Sequence, residues 1–186
     1  IICLPPIPYY AVSIQTIASE LSPDTKIIFT SSTGIYEEST EIIDENSKIK
    51  YDHILWQVEK IIRNRKSYSI LRLGGLIGPG RHPVKHLLTK PYLDGGKNVV
   101  NLIHSFDICS AMLHVLNDTK LQSTYNLVSP HHPSRGDYYT EAAKELAEKK
   151  LVVDYILSEN KQVDGSKIVK ELGFNYSTRL DEWQTF

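Results

Sequence analysis

Lys26-Ile27-Ile28-Phe29-Thr30-Ser31-Ser32-Thr33-Gly34-Ile35-Tyr36 is the stretch on which the reading of the fold turns. Its first half is a short apolar run, the pattern of a strand buried on both faces of a parallel sheet. Its second half is a row of hydroxyls ending at a glycine, where such a strand leaves the core. Working outward, residues 9–21 carry apolar side chains at helical spacing: Val12, Ile14, Ile17, Ala18 and Leu21. Downstream, a helical stripe runs over residues 51–65 through Ile54, Val58, Ile61 and Ile62, followed by a second apolar strand, Ser69–Leu73. Ile1–Leu4, stopped by Pro5, Pro6 and Pro8, reads as one more buried strand. Strand, helix, strand, helix, strand predicts an α/β fold, part of a Rossmann-type, doubly wound parallel sheet with right-handed crossovers.

The second half is less regular. Gly74, Gly75, Gly78, Pro79 and Gly80 predict a loop, and 82–90 a short helix. Asn98–Ile103 reads as a strand, with Ser105 and Asp107 offering caps for a helix over 106–117. Ser123–Val128 reads as a strand, and Ser134 caps a helix over 136–149. Val152–Ile156 reads as a short strand, and a last helix begins at Ser166 and stops at Gly173. The expected division is 1–80 as the C-terminal part of a nucleotide-binding domain, and 81–186 as a small α/β substrate domain from which 98–128 returns to the sheet.

With 186 residues, 41% of them hydrophobic, the chain is long enough to bury a core. A formal net charge of −1 gives no polyanion-binding face and so argues against nucleic acid. No run is long enough to span a bilayer and the opening does not resemble a signal peptide. The two cysteines, Cys3 and Cys109, lie in apolar stretches and are expected as buried free thiols in a reducing cytoplasm, with a disulfide as the alternative.

Ligands in open α/β sheets bind beyond the carboxyl ends of the strands. Three such ends are informative. Thr30–Thr33 could face a ligand with its hydroxyls, or be a Ser/Thr-rich turn. Gly74–Arg81 allows close backbone approach to a flat ligand, with Arg81 as a bidentate clamp for a phosphate or carboxylate or simply a surface arginine. His104, beside a helix start, meets a ligand or pairs structurally with Asp107.

Together these motifs resemble the extended short-chain dehydrogenase/reductase family, and more narrowly its atypical, nucleotide-sugar epimerase-like members. They are Ser31-Ser32-Thr33-Gly34-Ile35-Tyr36, Leu71-Arg72-Leu73 followed by Gly78-Pro79-Gly80-Arg81, and Ile103-His104 with Asp107. Tyr125–Ser129 and His132–Arg135 are similar too. The resemblance implies an NAD- or NADP-binding domain and a small-molecule substrate, with a nucleotide sugar the leading choice. It also implies Ser32 and Tyr51 as proton-handling residues. Leu4, Pro5, Pro6, Thr30, Ser31, Gly75 and Leu76 would lie on the cofactor, and Thr33, Arg81 and Asn101 on the substrate. Metal is not expected, and a homodimer could form through the sheet edge or the helices flanking it.

Two departures stand out. Counting back from Glu59 places the family's catalytic lysine at position 55, which is Leu55. That lysine holds the nicotinamide ribose and favours the tyrosinate; Lys48 or Lys50 could substitute. The Gly-x-x-Gly-x-x-Gly stretch that holds a pyrophosphate is not in this sequence. With Ile1–Leu4 as the family's fourth strand, about 90 preceding residues are expected at roughly 30 per βα unit. The readings that follow are an NAD(P)-dependent epimerase, dehydratase or reductase; a non-catalytic dinucleotide sensor; and an interaction domain pairing through a raw sheet edge.

Overall fold

The computed structural model describes residues 1–3, 9–158 and 161–183. Leu4, Pro5 and Pro6, expected on the cofactor, lie outside the described residues.

The order is α1 (Tyr10–Glu20), β1 (Ile27–Ser32), α2 (Ile54–Arg63), β2 (Tyr68–Leu73) and β3 (Gly75–Ile77), then α3 (Val84–Leu87), β4 (Leu102–His104), α4 (Ser105–Asn117), β5 (Gln122–Leu127), α5 (Arg135–Ala147) and α6 (Ser166–Leu172). β1, β2 and β5 form a parallel sheet in that order. Ile2 extends it past β1: its N–H donates to Ile28 O at 2.8 Å, and its carbonyl accepts from Thr30 N at 3.1 Å. The fold is therefore the expected α/β one with a parallel sheet.

Alternation along the strands sorts the core into two faces. Ile27, Phe29, Tyr68 and Ile70 face α1 and α2, meeting Tyr10, Ile14, Ala18, Leu55, Val58 and Ile62. Ile28, Leu71, Tyr125 and Leu127 face the other way, toward Ile108, Ala111 and Val115 of α4 and Ile168 of α6. Lys26, just before β1, ties this layer down from below. Its ammonium donates to the carbonyls of Val115, Asp118 and Lys120 at the end of α4, where the helix dipole favours a cation. A third cluster joins α3, β3 and β4 to α5 through Ile77, Val84, Leu102, Tyr139 and Ala142.

Several local expectations need correcting. The buried stripe of α1 is Tyr10, Ile14 and Ala18; Val12, Ile17 and Leu21 face outward. α2 begins at Ile54, with His53 as its cap, so Tyr51 precedes the helix. The expected glycine loop contains β3, which pairs in parallel with β4. Backbone does this work: Gly75 N–H donates to Asn101 O at 2.8 Å. Asn98–Ile103 contributes regular strand only from Leu102, and Val152–Ile156 only a bridge between Val153 and Leu93. The 82–90 helix is a single turn, Val84–Leu87. His104, rather than Ser105 or Asp107, caps α4, its Nδ1 accepting from Phe106 N–H. Asp107 instead takes Ser177 N–H, Ser177 Oγ–H and Thr178 N–H, tying down the segment that follows α6. Cys3 and Cys109 are free, as expected, but exposed rather than buried.

Candidate functional site at the carboxyl rim of the sheet

Register decides what meets at the rim. Ser32 lies abreast of Leu73, and Leu73 of Leu127, so the hydroxyl row after β1 and the glycines after β2 end at one edge. One residue inward, Ser31, Arg72 and Asn126 form a polar row across all three strands, each nearly sealed from solvent. Glu59 of α2 descends onto that row. It accepts Arg72 Nε–H and Nη2–H at 3.0 and 2.8 Å, Ser31 Oγ–H at 2.7 Å and, more distantly, Arg63 at 3.4 Å. Arg72 Nη1 donates at 2.8 Å to the Tyr36 hydroxyl, which donates at 2.7 Å to Asn126 Oδ1. Asn126 Nδ2 continues the chain to Asp164 O, and its backbone N–H donates to Glu45 Oε1.

This network sets the local electrostatics. Burial weighs most on the Arg72 guanidinium and disfavours its charge, but the hydrogen bonds and charge of Glu59, with Tyr36, outweigh it, so Arg72 holds its proton more tightly than usual. Burial pushes the Tyr36 phenol up to about 12, against the pull of Arg72. Burial also raises the Glu45 carboxyl.

Above the row, a clasp crosses between loops. Ile43 pairs with Val163, Ile43 N–H donating to Gln162 O and Asp164 N–H to Ile43 O, both at 2.8 Å. Asn101 grips the same segment: Nδ2–H donates to Lys161 O at 2.5 Å and Oδ1 accepts Val163 N–H at 2.8 Å. Beside the clasp a cleft of about 600 Å³ opens among Ile42, Pro130, His132, Asp164, Val169 and Tyr176.

The sequence-derived site residues are placed in several different ways. Ser32 and Thr30 stand half-buried at the end of β1; Ser32 Oγ accepts Gly34 N–H at 3.1 Å, and Thr30 Oγ1 donates to Ile2 O. Gly75 is exposed and Leu76 half-buried at the neighbouring edge. Tyr51 is 69% exposed, its ring edge-on to Trp56 at 5.9 Å. The other polar groups are engaged internally. Ser31 faces Glu59, Thr33 Oγ1 donates to Leu73 O, and both amide atoms of Asn101 hold the clasp. Arg81 is exposed, in a backbone bridge with Gly78. His104 is buried as a cap, while Asp107 accepts from Ser177 and Thr178.

Sequence reasoning passed over Tyr36, Arg72, Asn126 and Lys161 as site groups. Arg72 carried the one available signal, a guanidinium inside an otherwise apolar strand. Leu55 is buried between α1 and α2, so a nicotinamide ribose finds no ammonium there. The residue present at position 55 does not fit such a cofactor.

A parallel sheet whose hydroxyl- and glycine-bearing ends share one rim is a Rossmann-like arrangement. Solved structures agree. MoeE5 in complex with UDP-glucose and NAD superposes with a TM-score of 0.76 at 16% identity, over 94% of this chain and 68% of that one. The UDP-glucuronic acid 4-epimerase of Bacillus cereus, in complex with UDP-glucuronic acid and NAD, gives 0.75 at 18%, over 94% and 65%. Human epimerase family protein SDR39U1 with NADPH gives 0.73 at 18%, over 91% and 68%. These show the fold of the extended short-chain dehydrogenases/reductases. Protein YeeZ of Escherichia coli is 36% identical over 159 residues, 81% of this chain. The chain spans 58% of the length of that relative. No protein-family profile matches the chain. Among the described residues, no helix is long and apolar enough to cross a membrane.

Proposed function

We propose that this chain is part of an NAD(P)-dependent protein of the nucleotide-sugar epimerase, dehydratase or reductase kind, whose ligands meet at the carboxyl rim of β1 and β2. The observation that carries this reading is the alignment of Ser32 with Leu73 immediately before the Gly74-Gly75 exit. The fold-sharing neighbours complexed with NAD or NADPH and with UDP sugars support it.

In this reading residues 1–80 belong to the cofactor domain and 81–186 mainly to the substrate side. Ser32 donates its hydroxyl proton toward the reacting group while Gly34 N–H fixes its oxygen. Tyr51, on an exposed turn, is the second proton-handling group. Thr30, Gly75 and Leu76 line the cofactor side, and Arg81 the substrate side. Ser31 and Asn101 serve by holding Glu59 and the clasp. A bound dinucleotide would supply hydride chemistry; this chain's residues orient it and handle protons. The free thiols of Cys3 and Cys109 suit a reducing compartment, and we place the protein in the cytoplasm.

Leu55 favours a second reading, a dinucleotide-binding protein without turnover. One experiment separates them. The natural full-length protein is titrated with NAD⁺ and NADPH by calorimetry, then assayed for hydride transfer with UDP-glucose and UDP-glucuronic acid. Turnover that Tyr51→Phe abolishes supports the enzyme; binding without turnover supports the second reading; no dinucleotide binding removes both.

A further inference from the structure

Lys161 is an ammonium drawn into the rim with its hydrogen-bonding capacity partly unspent. The side chain is 16% exposed. Its stem is fixed from both sides, since Asn101 holds Lys161 O and, two residues on, Val163 N–H. The ammonium lies over the Tyr36 ring, 5.9 Å from its centre, and donates to Tyr36 O at 2.9 Å. Its nearest carboxylate among the described residues is Glu38, at 3.8 Å, beyond hydrogen-bonding range. Lys50 reaches the same Glu38 oxygen at 3.5 Å, so two cations share one half-exposed anion. An ammonium has three donors. One is used on Tyr36 O, and burial with the repulsion of Lys50 outweighs Glu38, leaving the charge less stable than that of a free lysine. Such a group gains by meeting an oxygen-rich ligand.

The position is beside the loop that leaves β1 at the rim. Tyr36 pairs with Ile49, and Lys50 N–H donates to Ile35 O, so Lys161 stands at the corner where the chain leads from Lys50 into Tyr51. Position 55, one turn further on, is an apolar core residue.

We propose that Lys161 is a ligand-holding cation of this rim, its ammonium taking the ribose or sugar hydroxyls or a phosphate oxygen of a nucleotide ligand. The inference rests on the reading of the rim as a nucleotide site. It assigns to a loop lysine, carried there by Asn101, the positive charge that Leu55 does not provide.

The test uses the natural full-length protein, with Lys161→Met, Lys161→Arg and, as a control for general charge, Lys50→Met. Dissociation constants for NAD⁺, NADPH and UDP-glucose are measured by calorimetry, and the ¹³C-dimethylated Lys161 signal is followed by NMR during each titration. Lys161→Met is expected to weaken at least one ligand about tenfold, with Lys161→Arg within about threefold of wild type. The Lys161 signal is expected to move with that same ligand, which tells the dinucleotide from the sugar nucleotide, and Lys50→Met is expected to change affinity less. Ligand binding that leaves the signal unmoved and Lys161→Met unaffected overturns the inference while sparing the reading of the rim. Absence of binding by all three nucleotides removes that reading and the inference with it.

Discussion

Arg72 holds both carboxylate oxygens of Glu59, Nε to Oε1 at 3.0 Å and Nη2 to Oε2 at 2.8 Å, with the two side chains 2% and 0% exposed. A buried pair of this kind is weak evidence of net stability, but breaking it leaves an uncompensated charge. Glu59→Gln is therefore expected to cost about 3–5 kcal/mol in urea unfolding. The double variant Glu59→Leu/Arg72→Met is expected to lose less than either single change. Additive losses would mean that the two residues act separately.

His82 links pH to stability. It is 6% exposed, with Nδ1 accepting Val84 N–H at 3.2 Å and Nε2 against the Tyr138 hydroxyl at 2.9 Å. Tyr138 in turn donates to Leu180 O, fastening the C-terminal segment to α5. Burial, aided by Lys85, pushes the imidazole down to about 4. Between that value and the unfolded one, near 6.5, the unfolded chain binds the extra proton, so stability falls as pH drops through this window. The loss from this group is about 3 kcal/mol over the full range. Unfolding curves at successive pH values should lose that component in His82→Phe, while the carboxylate-driven decline remains.

Gly74 sits where strand β2 hands over to β3. A Cβ there would stand 2.7 Å from Asn101 O, a backbone atom that a rotamer change cannot move. Gly74→Ala should cost about 1–3 kcal/mol in denaturant unfolding. Gly80→Ala offers a comparison, since its Cβ meets nothing within 4 Å and only its positive φ of 71° is strained.

Asn101 should prove a builder of the rim. Asn101→Ala removes two hydrogen bonds to the clasp, worth about 1 kcal/mol each. Hydrogen exchange at Val163 is expected to accelerate while β1 and β2 amides stay protected. Unchanged exchange at Val163 would show that the Ile43 pairing alone holds the clasp.

The parallel sheet was legible because β1 and β2 are continuous apolar runs between helical stripes, a pattern with few other solutions. β3 was not. A strand made of Gly75, Leu76 and Ile77 has little side-chain signal and is defined by backbone bonds to a segment 27 residues away in register. At the rim, Ser32 and the glycines announced themselves by clustering at strand ends. Glu59 and Arg72 lie 13 residues apart, and only the stacking of α2 on β2 brings them together. Lys161 has no periodic signature at all, because its place is set by Asn101, 60 residues earlier. Ser31 and Ser32 show the finer limit: adjacent strand residues point to opposite faces, so one feeds the buried network and the other remains at the edge.

The rim of β1 and β2 as the ligand site is tested most directly by NMR of the natural full-length protein titrated with NAD⁺ and NADPH. The account expects the amide signals of Ser32, Gly75 and Tyr51 to shift together along one saturation curve. A saturable titration that moves signals elsewhere and leaves these three in place would contradict it.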